Sequence, residues 1–246
     1  MFRIVLGMIV LLSVSGSGTS DPASYARARE QMVAEVKDLA AITGLGGDRQ
    51  LDEAVLDALR TVPRHLFVPP SLRGRAYDNR PLQIGHDQTI SQPFIVALMT
   101  HVLEPKKDDV VLEVGTGSGY QAALLATLVR HVYSIEIVAP LARQASERLK
   151  NLGYGNVTVQ HGDGYAGWPK HAPFDAIIVT AGAPRIPPPL VDQLKVGGRM
   201  VIPIGSVSAS QELLLVEKRP GGKIRTRSLG PVLFVPLTGA GGERRP

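Results

Sequence analysis

The sequence predicts an α/β fold, with a Rossmann-like, doubly wound and mostly parallel sheet covered by helices. From Asp108 onwards, strand-like segments alternate with amphipathic helical segments, which is the pattern of consecutive βαβ units. The strand segments include the unbroken apolar runs Ile177–Val179 and Met200–Ile202, which are typical of strands buried on both faces. A glycine-rich turn, Gly115–Gly119, follows the first of these strands directly and leads into a helix.

The residues before this core predict a helical cap over 21–92. Apolar residues recur twice at helical spacing, and Gly44 and Pro63 end the two helices. A polar loop that contains glycine follows, and the next helix begins at Pro93, since proline is well tolerated in the first turn. The predicted elements are helices at 25–42 and 51–62, a loop at 79–91 and a helix at 93–104.

The core, residues 93–238, joins the cap in a single predicted domain, residues 21–238. It ends in an antiparallel strand pair that turns at Pro220–Gly222. The tail 239–246 is rich in glycine and charge, and we expect it to be disordered. The predicted strands are 110–114, 131–136, 157–160, 174–180, 199–204, 211–218 and 223–234, and the helices are 120–129, 139–152 and 190–194.

Residues 1–20 form a separate segment with the layout of a secretory signal. Arg3 precedes the apolar run Ile4–Val14, and small polar residues follow where a peptidase could cut. The run is too short to cross a hydrocarbon core of ~30 Å as a helix. The alternative interpretation is an N-terminal extension without a targeting role.

The composition excludes several classes of protein. With 44% hydrophobic and 20% charged residues, the chain is neither mostly disordered nor a protein with many membrane spans. The absence of cysteine excludes disulfides, cysteine-ligated metal sites and thiolate nucleophiles. The net charge of +5 is spread along the chain, and aromatics are only 5%, so we expect no nucleic-acid partner.

The glycine-rich turn leaves two classes of ligand open. Residues 117–122 satisfy the G-x-G-x-x-A variant of the dinucleotide fingerprint, so an NAD(P)-dependent oxidoreductase is one alternative. Three carboxylates at strand ends favour S-adenosylmethionine instead. Glu113 is placed to face the ligand's cationic amino-acid part and would repel a pyrophosphate, while Glu136 is placed to accept from both ribose hydroxyls. Asp163, followed by Gly164, is placed to accept from the adenine amino group.

Several segments between Tyr25 and Thr238 resemble the protein-L-isoaspartate O-methyltransferase family. The most specific is Gln88–Pro93 in combination with Val111–Tyr120, because the methyltransferase segments alone are shared by many classes. The other similar segments are 62–69, 162–164, 173–177, 194–199 and 234–238.

The resemblance implies a repair enzyme that methylates the free α-carboxylate of L-isoaspartyl residues with S-adenosylmethionine. The ester would then cyclise to a succinimide, whose hydrolysis returns some aspartate. A carboxylate with a pKa near ~3.5 is already ionised at neutral pH, and the sulfonium methyl is already activated, so the chemistry needs neither a general base nor a metal. The protein must supply in-line placement in a closed site.

The resemblance also implies roles for individual residues. Ser91 is the predicted catalytic residue, because its hydroxyl can hold the attacking carboxylate with a hydrogen bond. Thr89 and the backbone of the 235–237 segment would complete a clamp on an extended peptide. The expected cofactor contacts are Gln88, Thr89, Ile90, Ser91, Glu113, Gly115, Gly117, Glu136, Asp163, Gly164 and Thr238, and the expected substrate contacts are Thr89, Ser91, Val235, Pro236 and Leu237, with no metal.

Alternatives remain open at this point. Ser91 could instead be the N-cap of the helix that begins at Pro93. Among the six histidines only His86 lies in the substrate loop, where a solvated side chain is the simpler interpretation. A nucleic-acid methyltransferase and a non-catalytic binding protein are further functional alternatives.

Partners and compartment are expectations as well. We expect damaged proteins as substrates, no stable membrane association and a monomer. We also expect activity in the cytoplasm, where the cofactor is made, with the periplasm as the alternative if residues 1–20 are a cleaved export signal.

Overall fold

A computed structural model describes residues 22–44, 50–206 and 210–239 of the chain. The predicted leader at 1–20 and all but the first residue of the predicted tail lie outside these residues. The helices are α1 Pro22–Thr43, α2 Glu53–Thr61, α3 Pro93–Leu103, α4 Tyr120–Ala126, α5 Ala139–Asn151 and α6 Pro188–Gln193. The strands are β1 Leu82–Gly85, β2 Gln88–Ile90, β3 Val110–Val114, β4 His131–Glu136, β5 Val157–His161, β6 Phe174–Val179, β7 Leu194–Ile204, β8 Gln211–Lys218 and β9 Ile224–Val232.

Seven strands form one sheet in the order β5-β4-β3-β6-β7-β8-β9. The strands β3 to β7 pair in parallel, β8 runs antiparallel to β7, and β9 runs antiparallel to β8. The chain winds outwards from β3 in both directions, so the carboxyl ends of β3 and β6 form a topological switch point, where ligands bind in such sheets. The predicted doubly wound, Rossmann-like fold with a C-terminal antiparallel pair is confirmed.

The hydrophobic core continues from the sheet into the cap. The inner strands are buried on both faces, which explains the continuous apolar runs in their sequences. One cluster of buried residues joins α1, α2 and α3 to the sheet, including Met32, Leu59, Leu98, Val111 and Val201. Across the described ranges no helix is long and apolar enough to cross a membrane.

The predicted loop at 79–91 is partly wrong, because it contains the antiparallel hairpin β1–β2. The two residues of its turn, His86 and Asp87, have positive φ angles of 54° and 57°. Two consecutive residues with positive φ form the tight turn whose twist matches paired strands. Neither residue is the glycine that usually marks such a turn, so the turn is only weakly indicated by these residue types.

Other element boundaries differ by a few residues. Helix α4 ends at Ala126 rather than at 129, and α6 begins earlier because two prolines occupy its first turn. Strand β7 is longer than predicted and begins at Leu194, with an irregular register against β6. Gly197 lies in this extension with a φ of 84°, a backbone conformation that favours glycine.

Candidate active site

Two adjoining cavities open where the hairpin β1–β2 and the C-terminal segment meet the carboxyl ends of the strands. The larger cavity has a volume of about 420 Å³, whereas the second is a narrow cleft of about 50 Å³ beside the glycine-rich turn. Thr89, Thr180 and Val235 line both. The larger cavity is also lined by Pro81, Ser91, Gln92, Ile95, Ser210 and 231–234, and the cleft by Gln88, Val114, Gly115, Gly117, 135–138, Gly164, Ala181 and 236–238.

The glycine-rich turn needs glycine for its backbone shape and for its close packing. Gly115 has a φ of 98° and Gly117 a φ of 52°. A Cβ on Gly115 would overlap the Thr180 hydroxyl, which donates hydrogen bonds to the carbonyls of Gly115 at 2.7 Å and Val114 at 3.1 Å. At Gly117 a Cβ would meet only the Ile84 Cδ1 atom of the hairpin, at 3.4 Å. The turn is therefore fixed from one side by β6 and covered from the other by the hairpin.

Glu136 places a carboxylate directly on this turn. Its Oε2 accepts from the Gly117 N–H at 2.7 Å, and its Oε1 accepts from the Val138 N–H at 2.9 Å. The residue lines the cleft although it is only 5% exposed. Each carboxylate oxygen keeps a second lone pair for a ligand hydroxyl. The Gly117 N–H, which could otherwise donate to a pyrophosphate oxygen, already donates to the Glu136 carboxylate.

Glu113 does not face the cleft, so the expectation that its carboxylate meets a ligand's ammonium group is corrected. Its side chain is fully buried. Its Oε2 accepts from the Ser134 hydroxyl, which also pairs with the Thr116 hydroxyl. Within the described ranges its Oε1 has no hydrogen-bond partner. Burial raises the pKa of Glu113 to about 8, so the group is mostly protonated at neutral pH and would not repel a pyrophosphate.

The turn after β5 brings Gly164 to the cleft and keeps Asp163 just behind it. Gly164 lines the cleft, and a Cβ there would overlap the Val114 side chain. The Asp163 carboxylate accepts from the Tyr165 N–H at 2.9 Å and lies against the backbone of Gly239. Asp163 therefore borders the C-terminal segment beside the cleft without lining the cleft itself.

Ser91 lines the larger cavity and does not cap α3. The N-cap residue is Gln92, and the Asn79 side chain accepts from the Phe94 N–H at 3.0 Å. The alternative role of Ser91 as helix cap is therefore wrong. Its hydroxyl makes no hydrogen bond within the described ranges and is left for a ligand.

Two other hairpin residues that are expected to contact the cofactor lie at the cavities. Gln88 and Thr89 line the cleft, and Thr89 also lines the larger cavity. Ile90 is the exception, because its side chain is 4% exposed and belongs to the hydrophobic core. His86 is exposed at the turn and lines neither cavity.

The C-terminal segment 235–238 lies at the site but is paired differently from the prediction. The Gly182 N–H donates to the Val235 carbonyl at 2.8 Å, and the Leu237 N–H donates to the Gly182 carbonyl at 2.7 Å. The Leu237 N–H is therefore not available to a peptide, so that part of the expected clamp is wrong. Pro236, Leu237 and Thr238 line the cleft rather than the larger cavity, and only Val235 lines both.

Three further residues organise the site and were missed by the sequence analysis. Thr180 lines both cavities directly after β6. Its position at the carboxyl end of a predicted buried strand is a signal that could have identified it. Gln211 is 1% exposed and holds Phe234 through two hydrogen bonds, one to each backbone group. Arg64 donates to the Ser91 carbonyl at 2.7 Å from a fully buried position in the cap. No sequence signal separates these last two from ordinary polar residues.

The site contains no cluster of metal-ligating side chains among the described residues. What it offers is a carboxylate on a glycine turn, a free hydroxyl at Ser91 and a wide, largely apolar cavity beside them. Such a site offers a carboxylate and a glycine backbone to one ligand at the cleft, and room for an extended chain in the larger cavity.

Comparison with known proteins points to one family. Residues 40–242 match the family described as protein-L-isoaspartate(D-aspartate) O-methyltransferase. A protein-L-isoaspartate O-methyltransferase 2 from Syntrophobacter fumaroxidans is 56% identical over 94% of this chain and 95% of its own length. A protein of the same name from a Polaromonas species is 57% identical over 85% of this chain and 98% of its own.

Solved structures agree with this result. A protein-L-isoaspartate O-methyltransferase superimposes with a TM-score of 0.75 and 29% identity, covering 87% of this chain and 67% of the other. A putative protein-L-isoaspartate O-methyltransferase from Plasmodium falciparum, solved in complex with S-adenosyl-L-homocysteine, gives a TM-score of 0.71 and 26% identity, covering 85% of this chain and 98% of the other.

Proposed function

Since this chain belongs to the protein-L-isoaspartate(D-aspartate) O-methyltransferase family, it is an S-adenosylmethionine-dependent protein repair enzyme, and we propose that its two cavities divide the reaction. The methyl donor lies along the glycine-rich turn and extends beyond the enclosed volume of the narrow cleft beside it, and the larger cavity holds the isoaspartyl chain. The observation that carries this proposal is the wall that both cavities share, formed by Thr89, Thr180 and Val235. A donor and an acceptor on either side of that wall would meet beside Ser91.

The residues of the cleft fit the methyl donor. Glu136 has two carboxylate lone pairs left for the ribose hydroxyls, and Gly115, Gly117 and Gly164 leave room for a ligand close to the backbone. Gln88, Thr89 and Thr238 also line the cleft. Bound S-adenosylmethionine supplies an activated methyl group, so the chain itself has to bind and orient the reactants and exclude water.

Ser91 is proposed to hold the attacking carboxylate. Its hydroxyl is unengaged in the described ranges and faces the cavity that borders the cleft. A single hydrogen bond orients a carboxylate without removing its charge, whereas a full ion pair would make it a weaker nucleophile. The Val235 N–H, also without a partner there, is proposed to bind the substrate backbone in place of the Leu237 N–H, which donates to Gly182.

Ser91→Ala tests this assignment. A hydrogen bond to a charged group contributes about 1.5–3 kcal/mol, so single-turnover methyl transfer to an isoaspartyl peptide should slow by roughly 10- to 150-fold. The affinity for S-adenosylhomocysteine should stay near the wild-type value. Ser146→Ala, on the exposed face of α5, is the matched control. Unchanged transfer in Ser91→Ala would contradict the assignment.

Calorimetric titration with NAD, NADP and S-adenosylhomocysteine tests which class of ligand the cleft binds. We expect heat of binding from S-adenosylhomocysteine alone, because the Glu136 carboxylate occupies the Gly117 N–H that a pyrophosphate would need. Tight binding of NAD or NADP would favour an oxidoreductase.

Assembly and compartment are proposals of the same kind. The described part of a single chain lines both cavities, which supports a monomer that acts on damaged proteins without nucleic acid or a membrane.

We place the activity in the cytoplasm, since the cofactor is made there and is charged. Cell fractionation with N-terminal sequencing tests this, and a mature protein that starts between Ser17 and Asp21 outside the inner membrane would show export.

A further inference from the structure

We infer that Arg64 is a positioning residue for methyl transfer, which holds the Ser91 segment in place and sets a positive charge behind the substrate's carboxylate. This inference rests on the proposed role of Ser91. Arg64 lies in the cap, and its side chain is fully buried. The guanidinium contacts the backbone of Ser91, which lines the larger cavity.

The guanidinium joins three parts of the molecule. Its Nε donates to the Ala76 carbonyl at 2.7 Å, and its Nη2 donates to the Ser91 carbonyl at 2.7 Å. Its central carbon lies 4.8 Å from the ring centre of Tyr120, the first residue of the helix after the glycine turn. The cap, the substrate segment and the cofactor helix therefore meet at one planar group, which lysine could not replace because it lacks the fork of donors.

Stability alone does not account for this residue. No carboxylate within the described ranges lies at ion-pair distance from Arg64, and its Nη1 has no hydrogen-bond partner. A buried cation without a counter-ion is costly, and a well-packed apolar side chain of similar volume would cost less. The charge is better explained by the anionic substrate on the other side of Ser91, since a positive charge in the interior is weakly screened.

The charge persists over the working pH range. Burial lowers the pKa of Arg64 to about 10. The titratable groups that face it are the phenols of Tyr77 and Tyr120, whose pKa values are both raised by burial. Arg64 therefore stays charged, and both phenols stay neutral, near pH 7.

A second arginine supplies a matched control. Arg148 on α5 is partly buried, and its Nη1 donates to the Ser118 carbonyl at 2.7 Å. Both arginines thus hold a serine carbonyl, one in the substrate segment and the other in the glycine turn. If each acts locally, Arg64→Met and Arg148→Met should impair different steps.

The experiment measures both steps for each variant, together with the melting temperature. For Arg64→Met and Arg64→Lys we expect kcat/KM for an isoaspartyl peptide to fall by about tenfold or more, with the Kd for S-adenosylhomocysteine within about threefold of wild type. Arg148→Met should do the opposite. Equal losses in both quantities, or unchanged peptide kinetics in Arg64→Met, would overturn the inference.

The pH profile of Arg64→Lys adds a readout that a packing role would not move. A buried lysine loses its charge at lower pH than arginine. We therefore expect kcat/KM of Arg64→Lys to fall between pH 6 and 9 relative to wild type, and a parallel profile would count against the role of the charge.

If neither Arg64 variant folds, Tyr120→Leu carries the test. It removes the ring under the guanidinium, and we expect a larger loss in peptide kcat/KM than in S-adenosylhomocysteine affinity. The reverse order would overturn the inference. A wild-type protein that methylates no isoaspartyl peptide would refute the proposed function itself, a result distinct from every outcome above.

Discussion

Glu136→Gln should weaken cofactor binding while leaving the chain folded. The substitution keeps the size of the side chain but leaves one oxygen where there were two. Glu136 now accepts from the N–H groups of Gly117 and Val138, and the amide nitrogen of glutamine can accept from neither. One backbone donor in a nearly buried position therefore loses its partner.

The magnitude follows from the bonds that are lost. On the ligand side, one charge-assisted hydrogen bond to a ribose hydroxyl disappears, which is worth about 1.5–3 kcal/mol. This corresponds to a Kd for S-adenosylhomocysteine raised by roughly 10- to 150-fold. On the protein side, the unpaired N–H should lower the free energy of unfolding by about 1–3 kcal/mol.

The assay is calorimetric titration with S-adenosylhomocysteine, accompanied by thermal unfolding of the ligand-free protein. Glu147→Gln, an exposed carboxylate on α5, is the matched control and should change neither quantity. A folded Glu136→Gln protein whose Kd lies within about twofold of wild type would refute the assignment of this carboxylate to the cofactor.

Three further predictions concern the same end of the sheet. In thermal unfolding, Gly115→Ala should destabilise the protein by about 1–3 kcal/mol more than Gly117→Ala. Both glycines have a positive φ, but only a Cβ on Gly115 would overlap Thr180, so equal effects would contradict this prediction. Glu113→Gln should lessen the fall in stability that denaturant titrations show between about pH 4.5 and 8. Burial raises the pKa of Glu113 in the folded chain to about 8, so over this range the unfolded chain releases the proton that the folded chain keeps, and stability falls by at most about 1.4 kcal/mol per pH unit. Parallel curves for the two proteins would contradict this. Asp163→Ala should raise the Kd for S-adenosylhomocysteine with little change in peptide KM, because its carboxylate accepts from the Tyr165 N–H and so orders the turn that brings Gly164 to the cleft. An unchanged Kd would exclude Asp163 from the cofactor site.

The parts of the fold that sequence predicts well are those fixed by burial. Strand β3 has the predicted bounds because its apolar residues fit only the interior of a covered sheet. Glu136 and Gly164 reach the cleft because Glu136 ends β4 and Gly164 follows β5, and both strands end at the same edge of that sheet. Position along a parallel strand is thus enough to place them.

Direction and pairing were harder to predict. Glu113 and Val114 point to opposite faces of β3, and it is Val114 that lines the cleft, so a carboxylate one residue away is turned into the core. The backbone of 235–237 pairs with Gly182, a contact between distant segments that no local pattern records. Arg64 reads as a surface cation until the fold buries it.

Methyl transfer from labelled S-adenosylmethionine to a pair of peptides is the decisive measurement of the specificity for L-isoaspartate. The two peptides differ only in whether one residue is L-isoaspartate or L-aspartate. We expect labelling of the isoaspartyl peptide, with the aspartyl peptide essentially unlabelled. Only the isoaspartyl residue offers Ser91 a free α-carboxylate bonded directly to Cα, whereas the free carboxylate of aspartate lies one methylene group further out. Equal labelling of both peptides, or labelling of neither, would contradict it.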